Sequence, residues 1–156
     1  MTTEIVGTAV LRNYPVRLWH RQFAYNQELL REFQLLVAGQ ALDGAHSDVP
    51  ARLLSMADMF ISRYGRQMDA LTAARQEAYD AGLMTIDSLV PLPAETMEII
   101  PAAVQMLAEV DEYCRKGELL TLGAPPDIAA FQSWTTSELI SQFQGNDPVP
   151  WSGPLE

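Results

Sequence analysis

Cysteine and histidine are nearly absent from this 156-residue chain. It holds one cysteine, Cys114, and two histidines, His20 and His46. A lone cysteine closes no internal disulfide and carries no signature of secretion. The histidines lie in different segments, and neither completes a Glu-x-x-His or His-x-x-x-His pattern of the kind that binds metal between helices. Glycines form no phosphate-cradling loop, since Gly44 to Pro50 and Gly117 to Gly123 match neither the Walker nor the dinucleotide-binding spacing. These absences predict no metal, no cofactor and no catalytic residues, and hence a protein that is not an enzyme. Basic residues are also few, 10 Lys and Arg against 20 Asp and Glu, for a formal net charge of −10. Duplex binding needs clustered Lys and Arg, so no nucleic-acid partner is expected. No stretch approaches the ~18 uncharged apolar residues of a membrane span. Met1 to Gly7 lacks a basic segment leading into an apolar one. The expected setting is cytoplasmic, with no membrane partner.

What the chain does have is apolar content, 48% hydrophobic against 19% charged. A chain of this length buries about 70% of its unfolded surface as one domain. Its charge is uneven. Through residue 75, 8 basic residues face 7 acidic ones; beyond it only Arg115 and Lys116 oppose 13 acids. An acidic half of this kind attracts a partner with a basic surface, or simply keeps the domain in solution.

Glycine and proline punctuate a series of helical repeats, which predict a mainly α fold: a bundle of about five helices with one to three short extended segments at one end. The first helix is expected from Pro15 to Ala38, with Trp19, Phe23, Asn26, Leu30, Phe33 and Val37 stepping by three and four. The second runs from Pro50 to Tyr64, Gly65 allows a break, and a third, more polar helix covers Arg66 to Ala81. The fourth runs from Pro93 to Lys116 along Met97, Ile100, Val104, Leu107, Asp111 and Cys114, ended by Gly117. Pro101 inside it predicts a kink. The last helix spans Pro125 to Phe143, with Ile128, Phe131, Trp134 or Thr135, Leu139 and Phe143 inward. Ile5 to Leu11, Met84 to Val90 and Leu119 to Leu122 read as extended segments. The helical domain is expected over residues 1–143, with 144–156 a polar tail.

Within this frame the candidate interaction residues are Arg17, Trp19, His20, Arg21, Glu109, Asp111, Glu112 and Trp134. Arg17 and Arg21 share a face at the positive end of the first helix, where they repel each other and the dipole. Their compensation is the chain's own Glu109-Asp111-Glu112 cluster, an acidic partner or a small anion. Asp111 stands where Leu or Ala is expected, either buried against an arginine of the first helix or solvated in the last turn. Asn26 either fixes register or oligomeric state or bonds nearby backbone. Cys114 reads as a small core hydrophobe, because neighbouring acids disfavour a thiolate.

The runs Asp48-Val49-Pro50-Ala51-Arg52-Leu53-Leu54 and Asp111 to Leu122, continuing through Pro125-Pro126, Phe131 and Trp134, together with Leu30-Arg31-Glu32-Phe33, resemble a group of small actinobacterial proteins. That group is associated with anti-sigma-factor and phosphatase partner-switching systems; Pro101 departs from its pattern. The resemblance implies a regulatory role without catalysis. The leading expectation is therefore a non-enzymatic protein–protein interaction module of bacterial signalling. It would bind another protein, or a second copy, through the acidic half or the patch at Arg17, Trp19 and Arg21. The alternative is a small-molecule-binding sensor bundle whose pocket is lined by Trp19, Met97, Met106, Phe131 and Trp134.

Overall fold

Two runs of alternating side chains, separated by a long helical hairpin, find each other as antiparallel strands. The computed structural model describes residues 4–43, 48–116 and 123–156. Strand β1, Ile5–Pro15, pairs with β2, Thr85–Pro93, in the register Ala9↔Val90 and Pro15↔Thr85. The pairing shifts between Leu11 and Tyr14, where Asn13 takes φ 57°. Asparagine tolerates that left-handed bulge better than most residues. Pro91 and Pro93 fall inside β2, where a two-stranded sheet offers the edge positions that proline needs. They extend the strand past the expected Val90 and push the next helix start from Pro93 to Thr96.

The helices are α1 (Val16–Asp43), α2 (Asp48–Asp80), α3 (Thr96–Arg115) and α4 (Pro126–Phe143). The fold is mainly helical as expected, with four helices among the described residues rather than five. The fifth is lost because Gly65 does not break the chain: α2 runs through it for 33 residues. A glycine in a helix costs about 1 kcal/mol relative to alanine, too little to interrupt favourable turns on either side. Pro101 likewise leaves α3 continuous, at the loss of one backbone bond. Leu119 to Leu122 lies outside the described residues. α1 follows β1 without a loop, and its Val16 N–H, one of the donors a helix start leaves unpaired, reaches the Met84 carbonyl at 3.1 Å.

Two strands are too few to stand alone, and here aromatic rings complete them. Leu11, Tyr14, Leu18, Trp19, Ile128, Phe131 and Trp151 form the main buried cluster. Phe131 meets Tyr14 at 5.1 Å and Trp151 at 5.7 Å between ring centres, both edge to face, the arrangement that ring quadrupoles favour. The Arg75 guanidinium reaches from α2 to lie 4.4 Å from the Tyr14 ring centre and donates to Ser88 Oγ. Burial pushes the Tyr14 phenol up to about 12, against the opposing pull of Arg75.

Residues 144–156, expected as a polar tail, enter this cluster. Trp151 is 6% exposed; its N–H donates to the Arg12 carbonyl and its carbonyl accepts from Asn13 Nδ2. Gln142 bonds both the N–H and the carbonyl of Val10, occupying the outer edge of β1 as a neighbouring strand would. Glu138, buried on α4, accepts the Val149 N–H at 2.6 Å, and the Trp134 indole donates to the Val149 carbonyl. Gly153 is required at the turn behind Trp151, since a Cβ there would stand 2.4 Å from the indole.

Candidate functional site

The basic and acidic clusters singled out in the sequence do not meet. Arg17 pairs with Glu156, and Arg21 with Asp127 at 2.5 Å, so the chain compensates both arginines itself but with other acids. Glu109 pairs with Arg52 of α2, and Glu112 with Lys116. Asp111 is partly exposed; it takes Arg115 one turn on, at 2.6 Å, and the Ala124 N–H at 3.0 Å, in place of an arginine from α1. These bonds hold the Asp127, Glu109 and Asp111 carboxyls below the usual carboxylate range. Trp19 is buried, and His20 lies face to face on Tyr79 at 3.9 Å. Trp134 packs against Phe131 and Trp151. Trp19 is thus withheld from the surface at the start of α1, while Arg17 and Arg21 stay about half exposed. Cys114 is buried with Leu29, Phe33 and Leu53, and burial pushes its thiol up. Asn26 is exposed, with no side-chain hydrogen bond among the described residues, so it does not bond nearby backbone.

The cavity expected among Trp19, Met97, Met106, Phe131 and Trp134 is also elsewhere. Trp19, Phe131 and Trp134 belong to the solid aromatic cluster and Met97 is exposed; Met106 alone of the five lines the main cavity. That cavity is a trough of about 510 Å³ walled by α1, α2 and α3 and closed at its base by residues 90–93 of β2. Leu29, Leu30 and Phe33 face it from α1; Leu53, Leu54, Ala57, Phe60 and Ile61 from α2; Ile99, Ile100, Ala103, Met106 and Val110 from α3. The lining is almost wholly apolar. The α2 and α3 walls are joined by two ion pairs, Arg52 to Glu109 and Arg63 to Glu95. The two arginines lie about three turns, ~16 Å, apart along α2. Between these straps the helices stand apart, and α3 fully buries only Thr96 and Cys114.

Polar groups converge where α3 begins. Tyr64 lines the trough at 9% exposure, yet its hydroxyl has no hydrogen-bond partner among the described residues. An unpaired buried hydroxyl costs about 1–3 kcal/mol, so it marks a place where a further bond is gained. Glu95 occupies the cap position of α3 without capping it. Its Oε1 accepts from Arg63 at 2.7 Å, while Oε2 is buried and unpartnered. No sequence signal points to these residues: Tyr64 is the last residue of the expected second helix, and Glu95 lies inside the expected fourth. A smaller cavity of about 240 Å³, lined by Tyr25, Asp111, Arg115 and Gln132 among others, separates α3 from α1 and α4.

Among the described residues no group of three or more His, Cys, Asp and Glu gathers to hold a metal. No helix of the described residues is long and apolar enough to cross a membrane. Compared with protein-family models, curated proteins and solved structures, the chain matches none of them.

Proposed function

We propose that this chain is a non-enzymatic regulatory module that takes an elongated apolar small molecule into the trough and presents its occupancy to another protein. One observation carries the proposal: the apolar cavity of about 510 Å³ between α1, α2 and α3. Ligand sites fall at about 300–1,000 Å³, are apolar with a few polar groups, and occur between the helices of bundles. The resemblance to small proteins of partner-switching systems supports regulation as the use. The straps across α2 and α3 favour a small molecule over a partner's helix. A three-turn helix, ~16 Å long and about 10 Å wide, spans the distance between the straps and has to break them to enter.

A protein partner, with a basic surface or as a second copy, keeps its place in the proposal through the acid surplus rather than through Arg17, Trp19 and Arg21. Glu98 and Glu112 stand exposed on α3, one wall of the trough, so a ligand that moves α3 moves acidic surface with it.

Titration of the full chain with the neutral dye Nile red tests the site. Saturable one-site fluorescence is expected, and it should vanish in Ala57→Phe and Ala103→Phe, whose rings fill the trough. A linear, unsaturable signal, or binding unchanged in both variants while circular dichroism shows them folded, refutes the proposal.

A further inference from the structure

We infer that residues 147–156 are an exchangeable arm: the groove they fill on β1 and α4 takes the same segment of a second copy, and two chains pair by trading arms. The inference is independent of the trough and its ligand. The arm has no helix or strand of its own, and the fold binds it as it would bind a separate extended peptide. Trp151 is the anchor, buried with its indole edge to face against Phe131 and Trp134. Its N–H donates to the Arg12 carbonyl at 3.0 Å, and its carbonyl accepts from Asn13 Nδ2 at 2.7 Å. Two residues earlier, Val149 gives its N–H to Glu138 and its carbonyl takes the Trp134 indole N–H. Pro148 and Pro150, with no N–H to satisfy and a fixed φ, suit the extended course around these contacts. Further along, Glu156 pairs with Arg17.

These contacts all reach β1, the first turn of α1, and residues 131–138 of α4. The joint between α4 and the arm, Gln144 to Asp147, is exposed throughout. There α4 ends in a turn: the Gly145 N–H bonds the Gln142 carbonyl and the Asn146 N–H the Ser141 carbonyl, with Gly145 at φ 92°. That one left-handed residue sends the chain back along α4 and returns the arm to its own groove. Without the turn the chain leaves α4 pointing outward, and the arm is presented to another copy. The exchanged pair keeps every groove contact and alters only the joint, which makes segment exchange a low-cost route to a dimer. The closed form is favoured by proximity, a short joint giving an effective concentration on the order of millimolar. In either form the same rings meet, so the corner is equally well packed.

Analytical ultracentrifugation of the full chain and of Gly145→Val tests the exchange. A Cβ at Gly145 meets no neighbour within 4 Å, so the substitution acts through the backbone turn. A left-handed residue bearing a side chain is disfavoured about tenfold, and pairing relieves two such joints. The wild type should therefore pair only toward ~1 mM, and Gly145→Val at about a hundredfold lower concentration. An excess of a synthetic peptide of residues 147–156 should return the Gly145→Val dimer to monomers, and the same peptide carrying Trp151→Ala should not. Melting curves establish that the variant is folded; Gly145→Ala, with the smaller side chain, carries the same test if the valine chain does not fold. A folded variant that stays monomeric up to ~1 mM overturns exchange between copies, even if it binds the peptide. A dimer that the peptide leaves intact overturns it as well, because such a dimer associates through another surface.

Discussion

The two ends of α1 sit in different kinds of interior. Its first turns enter a corner where Tyr14, Phe131, Trp134 and Trp151 meet ring on ring and where side-chain amides and a buried carboxylate tie residues 142–151 to β1 and α4. Its second half walls the trough, where, among the described residues, the small cluster of Leu29, Phe33, Leu53 and Cys114 is the only buried cluster and half-exposed ion pairs bridge the gap. Close packing gives the corner rigidity. The trough is less fully packed, with Ile61 and Met68 of its walls still exposed, and ligand-responsive parts of proteins are drawn from such weakly packed regions. A bundle can thus keep one end fixed as a reference and leave the other adjustable.

The contrast is broken most severely by emptying the corner. Trp151→Ala should cost about 3–5 kcal/mol, as large-to-small core changes do, and a urea titration should show it as a lowered midpoint. The opposite change belongs to the trough: Ala103→Leu adds apolar volume to unfilled space, so thermal unfolding should show a gain of about 0.5–2 kcal/mol together with loss of Nile red binding. A destabilisation there would mean that the trough is already packed. Gly65→Ala should add about 0.5–1 kcal/mol, because the helix is continuous and a Cβ meets only Ile61 Cγ2 at an ordinary 3.8 Å.

The smallest effect concerns pH. Asp127, Glu109 and Asp111 have folded-state pKa values below the usual carboxylate range. Their contribution is therefore full above the ordinary carboxylate value of about 4 and fades as pH falls through the depressed folded values. Hydrogen exchange at decreasing pH should show α2, α3 and the first turn of α4, which carry these pairs, losing protection before β1, and salt should blunt the pH effect. Equal loss in both regions would remove the distinction between them.

Much of the frame was legible in the residues. The three-and-four spacing gave α1 and α4 to within a few positions, and alternation gave both strands. The merger of two expected helices into α2 was not legible, because a glycine's helical penalty is a local quantity and the turns on either side outweigh it. Trp151 was hidden by its polar surroundings, although prolines at 148, 150 and 154 around a large ring already suggest an extended segment that docks. The ion pairs depend on which helices become neighbours: Arg21 finding Asp127 in place of Glu109, Asp111 or Glu112 follows from α4 packing on β1 beside the first turns of α1. The trough was least legible of all. Its lining residues look like any core residues, and only the distance between helices makes them the walls of a cavity.

Trp151 has a consequence for the order of events in synthesis. It leaves the ribosome after every other member of its cluster, and its bond to Asn13 joins residues 138 positions apart. Until it emerges, Phe131 lacks one of the rings that cover it, so the nascent chain carries an unfinished apolar face while its helical hairpin is already able to form from local contacts. Folding should therefore be paced by a late, long-range closure, which contact-order arguments make slow for an otherwise helical chain. A chain stopped just short of this indole would be complete in every helix and still be recognisable to a chaperone or protease.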